Sequence, residues 1–256
     1  MKKIFSILIA LTLLIAGASA QTLRYNGKTL GVLGGLGPAA SADFMRLLVQ
    51  KAPATKDQEH PRVILLSNPQ VPDRSTYITG GGENPEPYLV DGLRKLSSWG
   101  ADYLAVTCNT AHYYINHFRY DIDKPIIHIV EETIRAARES SAEGAWLTAT
   151  IGTIKVGIFQ KEAEKSGYAL TVPDDEIQQM VQKSIFLYKA GKLKESGDLM
   201  KKACKKLWKI KKMPIVAACT EIPLAYEQAG LPADMIVSSL DALAEACIKV
   251  LYSPAE

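Results

Sequence analysis

Leu104-Ala105-Val106-Thr107-Cys108-Asn109-Thr110-Ala111-His112 and Ile215-Val216-Ala217-Ala218-Cys219-Thr220-Glu221-Ile222-Pro223 carry nearly the same message. Each opens on a short apolar run, turns on a cysteine followed by a polar residue, and continues as a helix. A brief apolar run bounded by a helix start reads as a buried parallel strand. Outward from these two stretches the same alternation continues. Strands are expected at 30–35, 63–67, 103–107 and 126–129, with helices at 38–51, 88–99, 110–120 and 131–139. The pattern then repeats with strands at 145–150, 169–172, 215–218 and 235–237, and helices at 154–166, 174–190, 193–210, 221–228 and 240–251. Strict alternation predicts parallel sheets covered by helices on both faces. In 256 residues it predicts two lobes rather than one continuous sheet. Residues 68–87, rich in Pro, Gly and Asp, read as a long irregular connection, a kind that is often functional. Ligands of such folds bind beyond the carboxyl ends of the strands, where both cysteines fall.

The bulk numbers agree with a packed enzyme-sized domain. Hydrophobic residues make up 47% of the chain and the formal charge is +3, which argues against disorder and against a nucleic-acid binder. The lysines at 201, 202, 205, 206, 209, 211 and 212 alternate with Leu199, Ala203, Leu207 and Ile210, and read as the solvated face of an amphipathic helix. At the N-terminus, Lys2 and Lys3 precede an apolar run at 4–17 and the small-residue site Ala18-Ser19-Ala20. This is the pattern of a secretory signal peptide at 1–20 that is cleaved before Gln21. The run is shorter than the roughly 20 residues of a membrane span. The mature protein is therefore expected to be exported, soluble and periplasmic. Of the four cysteines, Cys204 and Cys247 lie in helical segments and read as buried thiols or a bridge.

Cys108 and Cys219 sit at helix N-termini, where unpaired N–H groups and the helix dipole lower a thiol pKa from about 8.5. The same N–H groups hold carboxylates. A thiol beside a carboxylate cradle, duplicated across a cleft, is what inversion at an amino-acid α-carbon requires: one thiolate removes the proton, the other thiol returns one to the opposite face. Two buried cysteines that only pack well are the plainer alternative, and the matched contexts weigh against it. His112 either supports the cysteine by a hydrogen bond or is a helix residue satisfied locally. His60, His117 and His128 lack metal-ligand spacing, so no metal is assigned.

The Cys-Asn-Thr-Ala-His and Cys-Thr-Glu-Ile-Pro blocks resemble the two signature blocks of the aspartate/glutamate racemase family. Gly34-Gly35-Leu36-Gly37-Pro38 resembles its first glycine loop, with Gly35 and Gly37 as the loop residues. Asn68-Pro69-Gln70-Val71-Pro72-Asp73-Arg74 and Tyr188-Lys189-Ala190-Gly191 resemble elements of its aspartate racemase branch, and Thr150-Ile151-Gly152-Thr153 its central element. The matches run in order from about 30 to 251. The resemblance implies two similar Rossmann-like α/β lobes with the active site between them, no cofactor and no metal. We divide them as 28–124 plus 232–256 and 125–231. It implies Cys108 and Cys219 as the acid/base pair, and Asn109, Thr110, Thr150, Thr153 and Thr220 around the α-carboxylate. It suggests Arg74 and Lys189 for a side-chain carboxylate; a guanidinium grips such a group bidentately. Glu221 would orient the substrate amine or complement a helix N-terminus. A small acidic amino acid and a homodimer are the expected partners. The sequence departs from the family pattern at Thr107, Ala218 and Ser238-Ser239, which bears on substrate preference.

Three rival readings follow from the same text. Gly35-Leu36-Gly37-Pro38-Ala39-Ala40 fits a dinucleotide fingerprint, although a tight turn explains it equally. A leader followed by two α/β lobes also describes a periplasmic solute-binding protein, which needs no paired thiols. A dicarboxylate isomerase or decarboxylase of the same superfamily usually lacks one cysteine of the pair or uses one as nucleophile.

Overall fold

Alternate residues of the central strands face two different cores, and this arranges the helices in layers. The computed structural model describes residues 23–254; the leader read at 1–20 lies outside them. In chain order the elements are β1 (Leu23–Tyr25), β2 (Leu30–Gly34), α1 (Pro38–Lys51), β3 (Val63–Ser67), α2 (Arg74–Ile78), α3 (Glu86–Ser98), β4 (Tyr103–Val106), α4 (Ala111–Phe118), β5 (Ile126–Ile127) and α5 (Ile129–Ser140). There follow β6 (Ala145–Ala149), α6 (Ile151–Val156), α7 (Ile158–Lys165), β7 (Leu170–Thr171), α8 (Asp175–Lys189), α9 (Leu193–Ile210), β8 (Ile215–Ala218), α10 (Ile222–Gln228), β9 (Ile236–Ser238), α11 (Ser239–Leu251) and β10 (Tyr252–Pro254). Two parallel sheets result, ordered β3-β2-β4-β5 and β7-β6-β8-β9. The two orders are the same topology used twice. A small antiparallel pair, β1 with β10, joins the ends of the described chain.

On the first sheet Leu30, Val32 and Ala105 point to a core shared with Ala145, Leu147, Ala149, Val216 and Ala218 of the second. Between them lie Phe44 and Leu48 of α1, Ile129 and Ile134 of α5, and Leu240 and Leu243 of α11. The opposite faces are closed separately. Leu33, Leu104 and Val106 pack under α3 and α4, and Trp146, Ile215 and Ala217 under α8, α9 and α10. The strand alternation of period two thus sends every second residue to a common helical layer.

Several elements differ from their sequence reading. Strand β5 pairs with β4, and β9 with β8. The division at 125 and the assignment of 232–238 to the first lobe are therefore corrected: the chain leaves the first sheet after 127 and the second after 238. Pairing partners are chosen by register across the sheet, and no local signal carries that choice. The single helix expected at 154–166 is two helices, broken where Gly157 takes φ 69°, a left-handed conformation suited to glycine. The irregular 68–87 connection contains α2. All four cysteines are free and buried, so Cys204 and Cys247 are not bridged. Among the described residues no helix is long and apolar enough to cross a membrane.

Candidate active site

Cys108 follows β4 and Cys219 follows β8, the two matching central strands, and both line one cleft between the sheets. Leu36, Asp73, Arg74, Ser75, Asn109, Thr110, Thr150, Gln182, Lys189, Thr220 and Glu221 line it with them. Its free volume is only ≈ 30 Å³, about that of a water or two. A larger cavity of ≈ 720 Å³ adjoins it, bounded by the glycine loop Gly35-Leu36-Gly37, Tyr188 and Leu193, and sharing Arg74, Lys189 and Glu221. The structure thus gathers the residues named for the site at or beside one place. Thr153 stands just behind the lining through its hydrogen bonds.

The glycine loop is built for close approach. Gly35 takes φ 82°, and a Cβ there would lie 2.4 Å from the backbone N of Asn68, so the loop carrying Arg74 comes directly against it. Its N–H donates to Ser41 Oγ at 2.9 Å, and Ser41 Oγ lies 3.0 Å from Thr107 Oγ1. Thr107 therefore ties the end of β4 to the loop. Across the cleft, Thr110, Thr150 and Thr153 form a hydroxyl cluster with separations of 2.8–3.2 Å. Ser75 donates into it at 3.1 Å. Asn109 Nδ2 donates to Ser239 Oγ at 2.9 Å, which gives the departure at 238–239 a role in orienting Asn109.

Arg74 is 7% exposed. Its Nη1 donates to the carbonyls of Val71 and Pro72, both at 3.0 Å, and Nη2 to that of Leu36 at 2.5 Å. Burial works against its charge, but Cys108 and Asp73 outweigh it and the guanidinium pKa rises. For Lys189 burial is likewise opposed, by Glu221 first and then by the two cysteines, with a net rise. Glu221 is 2% exposed; its Oε1 lies 3.8 Å from Lys189 Nζ, and its Oε2 accepts from Cys219 Sγ at 3.1 Å. Three buried polar atoms in this cleft have no hydrogen-bond partner: Asn109 Oδ1, Arg74 Nε and Glu221 Oε1.

The low thiol pKa expected at helix N-termini is corrected for Cys219. Burial, reinforced by the Glu221 carboxylate, pushes this thiol well up, and Lys189 only partly opposes them. Seven-residue α10 begins three positions on, and its terminus does not offset an adjacent carboxylate. His112 resolves the alternative left open for it: its Nδ1 donates to the main-chain carbonyl of Cys108 at 2.8 Å, so it holds the strand end and does not touch the thiol. Asp73, Gln182 and Ser75 were not singled out. Asp73 was legible as a cap residue before α2, but the place of Gln182, whose Oε1 accepts from Ile151 N at 2.7 Å, depends on how α8 packs. Among the described residues no cluster of three or more His, Cys, Asp or Glu side chains is placed to hold a metal.

The family model described as Asp/Glu/Hydantoin racemase matches residues 33–247. A broad-specificity amino-acid racemase of Bacillus subtilis is 30% identical over 162 residues, covering 61% of this chain and 69% of that protein. The aspartate racemase of Picrophilus torridus superposes with a TM-score of 0.79 at 27% identity, over 90% of this chain and 96% of its own. A glutamate racemase of Bacillus anthracis shares the fold, with a TM-score of 0.62 at 17% identity over 88% and 81% of the two chains.

Proposed function

The chain belongs to the Asp/Glu/hydantoin racemase family, and on that premise we propose that it interconverts L- and D-aspartate, or glutamate, by cofactor-free proton transfer between Cys108 and Cys219. The observation that carries this reading is the set of unpartnered polar atoms in the cleft that both thiols line. Buried polar groups are normally paired. Two orphaned acceptors, Asn109 Oδ1 and Glu221 Oε1, and one orphaned cationic donor, Arg74 Nε, complement a zwitterion that carries a further carboxylate. The ammonium goes to the acceptors. The side-chain carboxylate goes to Arg74 with Lys189. The α-carboxylate goes to the hydroxyls of Thr110 and Thr150, backed by Thr153, with Thr220 and the N–H groups after each cysteine. Hydrogen bonds to that carboxylate stabilise the charge that develops when the α-proton leaves. One cysteine as thiolate takes the proton from one face, and the other as thiol delivers one to the opposite face.

The reading is tested by incubating the protein with a panel of L-amino acids in deuterated water and resolving the products by chiral chromatography. The product enantiomer is expected to carry deuterium from the first turnovers while the remaining substrate carries little. Cys108→Ser and Cys219→Ser should each lower racemisation by about 10²–10⁴-fold, the usual worth of an acid–base group. Near-normal racemisation in either variant removes that cysteine from the pair, and equal early labelling of substrate and product points to a single base. The N-terminal pattern at 1–20 supports export, which is checked by looking for a mature N-terminus at Gln21 in the extracytoplasmic fraction.

A further inference from the structure

The two thiols occupy matching places in the fold but opposite electrostatic surroundings. Cys219 Sγ lies 3.1 Å from Glu221 Oε2, and Thr220 Oγ1 donates to the same oxygen at 3.3 Å. An ionised carboxylate only accepts hydrogen bonds, so this contact is favourable when Cys219 carries its proton and repulsive when it does not. The glycine loop is shaped around the same carboxylate: a Cβ on Gly37 would sit 2.0 Å from Glu221 Oε1. Cys108 instead neighbours the Arg74 guanidinium, whose Nε is unpartnered. Lys189 faces both thiols from α8 and so does not distinguish them. Asp73 also lines the cleft, with its Oδ1 accepting from Thr76 N at 2.7 Å and Thr76 Oγ1 at 2.9 Å and its charge acting on Arg74.

We propose that Glu221 is a positioning residue that keeps the resting proton on Cys219, so that Cys219 enters the reaction as the thiol acid, opposite the cysteine that Arg74 neighbours. Its consequence for turnover rests on the racemase reading. The Cys108 thiolate takes the α-proton from the enantiomer whose C–H faces it, and the electron pair of that bond stays on the α-carbon. Cys219 gives its proton to that pair from the other side and becomes a thiolate beside Glu221. The resting form returns when Cys108 loses its proton to solvent and Cys219 takes one up. One enantiomer therefore meets the dominant protonation form of the free enzyme, and its mirror image meets the minor one.

The test is thiol alkylation of the full chain by iodoacetamide from pH 6 to 10, with each cysteine followed by mass spectrometry. Cys108 and Cys219 are exposed to a similar small extent, 8% and 7%, and the pH dependence of each rate, rather than its absolute size, reports ionisation. Cys219 should react more slowly than Cys108 near pH 7.5, its alkylation rising only at higher pH. Glu221→Gln should move the Cys219 profile to lower pH and leave that of Cys108 nearly in place. Gly37→Ala, which displaces the carboxylate without removing it, should do the same in part and serves if the glutamine variant fails to fold. Equal rates in the parent protein, or an unmoved Cys219 profile in a folded variant, overturn the proposal. The readout needs no turnover. Ordered alkylation without racemisation refutes the racemase reading alone, and racemisation with equal alkylation refutes this assignment alone.

Discussion

Arg74 shows how one side chain serves both the loop and the ligand. A guanidinium has five N–H donors, and three go to the carbonyls of Leu36, Val71 and Pro72. Nε and one N–H of Nη2 remain, and these form the edge that a carboxylate takes bidentately. Arg74→Lys should keep the charge but lose the fork, raising KM for an acidic substrate. Arg74→Ala should cost about 2–5 kcal/mol of transition-state binding and lower Tm as well, because the loop anchor is lost. An unchanged preference for acidic over neutral amino acids in both variants takes Arg74 out of the site. The buried histidines give a second effect at this scale. Burial, followed by Arg119 and Lys165, holds His128 down to about 3, and burial with His128 holds His112 well below its usual value. Both are neutral in the folded protein, while the unfolded chain protonates near 6.5. Their contribution is therefore complete above about pH 6.5 and falls away as pH drops toward the folded values. The slope is about 1.4 kcal/mol per pH unit for each histidine. Urea unfolding between pH 7 and 4 should show this decline, and His128→Gln should flatten it. A decline of the same slope in the variant contradicts the assignment.

At the scale of elements the informative one is α2. Five residues make no stable helix alone, and four ties hold this one. Asp73 caps it through Thr76 N, Tyr114 OH donates to Arg74 O at 2.8 Å, and Ser75 reaches Thr150 of the other lobe. Gly152 leaves no room for a side chain against Ser75, since a Cβ would lie 2.6 Å from its Oγ. The helix thus carries Arg74 across the junction of the two sheets. Asp73→Ala should lose about 1 kcal/mol, as for a typical N-cap, and should raise KM more than it lowers kcat because Arg74 is misplaced rather than removed. Asp73→Asn, which still caps, should recover most of both. If asparagine and alanine behave alike in Tm and KM, the cap is not what places Arg74.

Over the whole molecule, the central layer of α1, α5 and α11 makes the two sheets one cooperative body, because a single core runs from Leu30 through Phe44 and Leu243 to Leu147. Leu243 is fully buried, and Leu243→Ala should cost about 2–5 kcal/mol. The loss should be felt in both lobes at once. With Trp99 and Trp208 replaced by Phe, fluorescence of Trp146, buried on the second sheet, and far-UV circular dichroism should shift together with denaturant and remain coincident. Two separated transitions would show that the lobes unfold independently.

The strand–cysteine–helix units and their duplication were legible in the sequence, because strand periodicity and helix-start chemistry are local signals; Arg74, Lys189 and the threonines came from the family resemblance, and Ser75 and Gln182 from neither. Sheet membership was not, and 126–127 and 236–238 joined sheets other than those assigned to them, since a short strand is claimed by whichever edge offers it register. Helix α2 was not read despite its capping aspartate, because its five residues carry no helical period. The protonation of the cysteines lay furthest from the sequence. Two near-identical segments predict two equivalent thiols, and only the folded protein places a carboxylate against Cys219 and a guanidinium beside Cys108. A thiol's proton answers to charges within a few ångströms in a medium from which water is excluded. Glu221 is only two residues from Cys219 in the chain, but Arg74 comes from α2 and Lys189 from α8, which only tertiary packing brings to the two thiols.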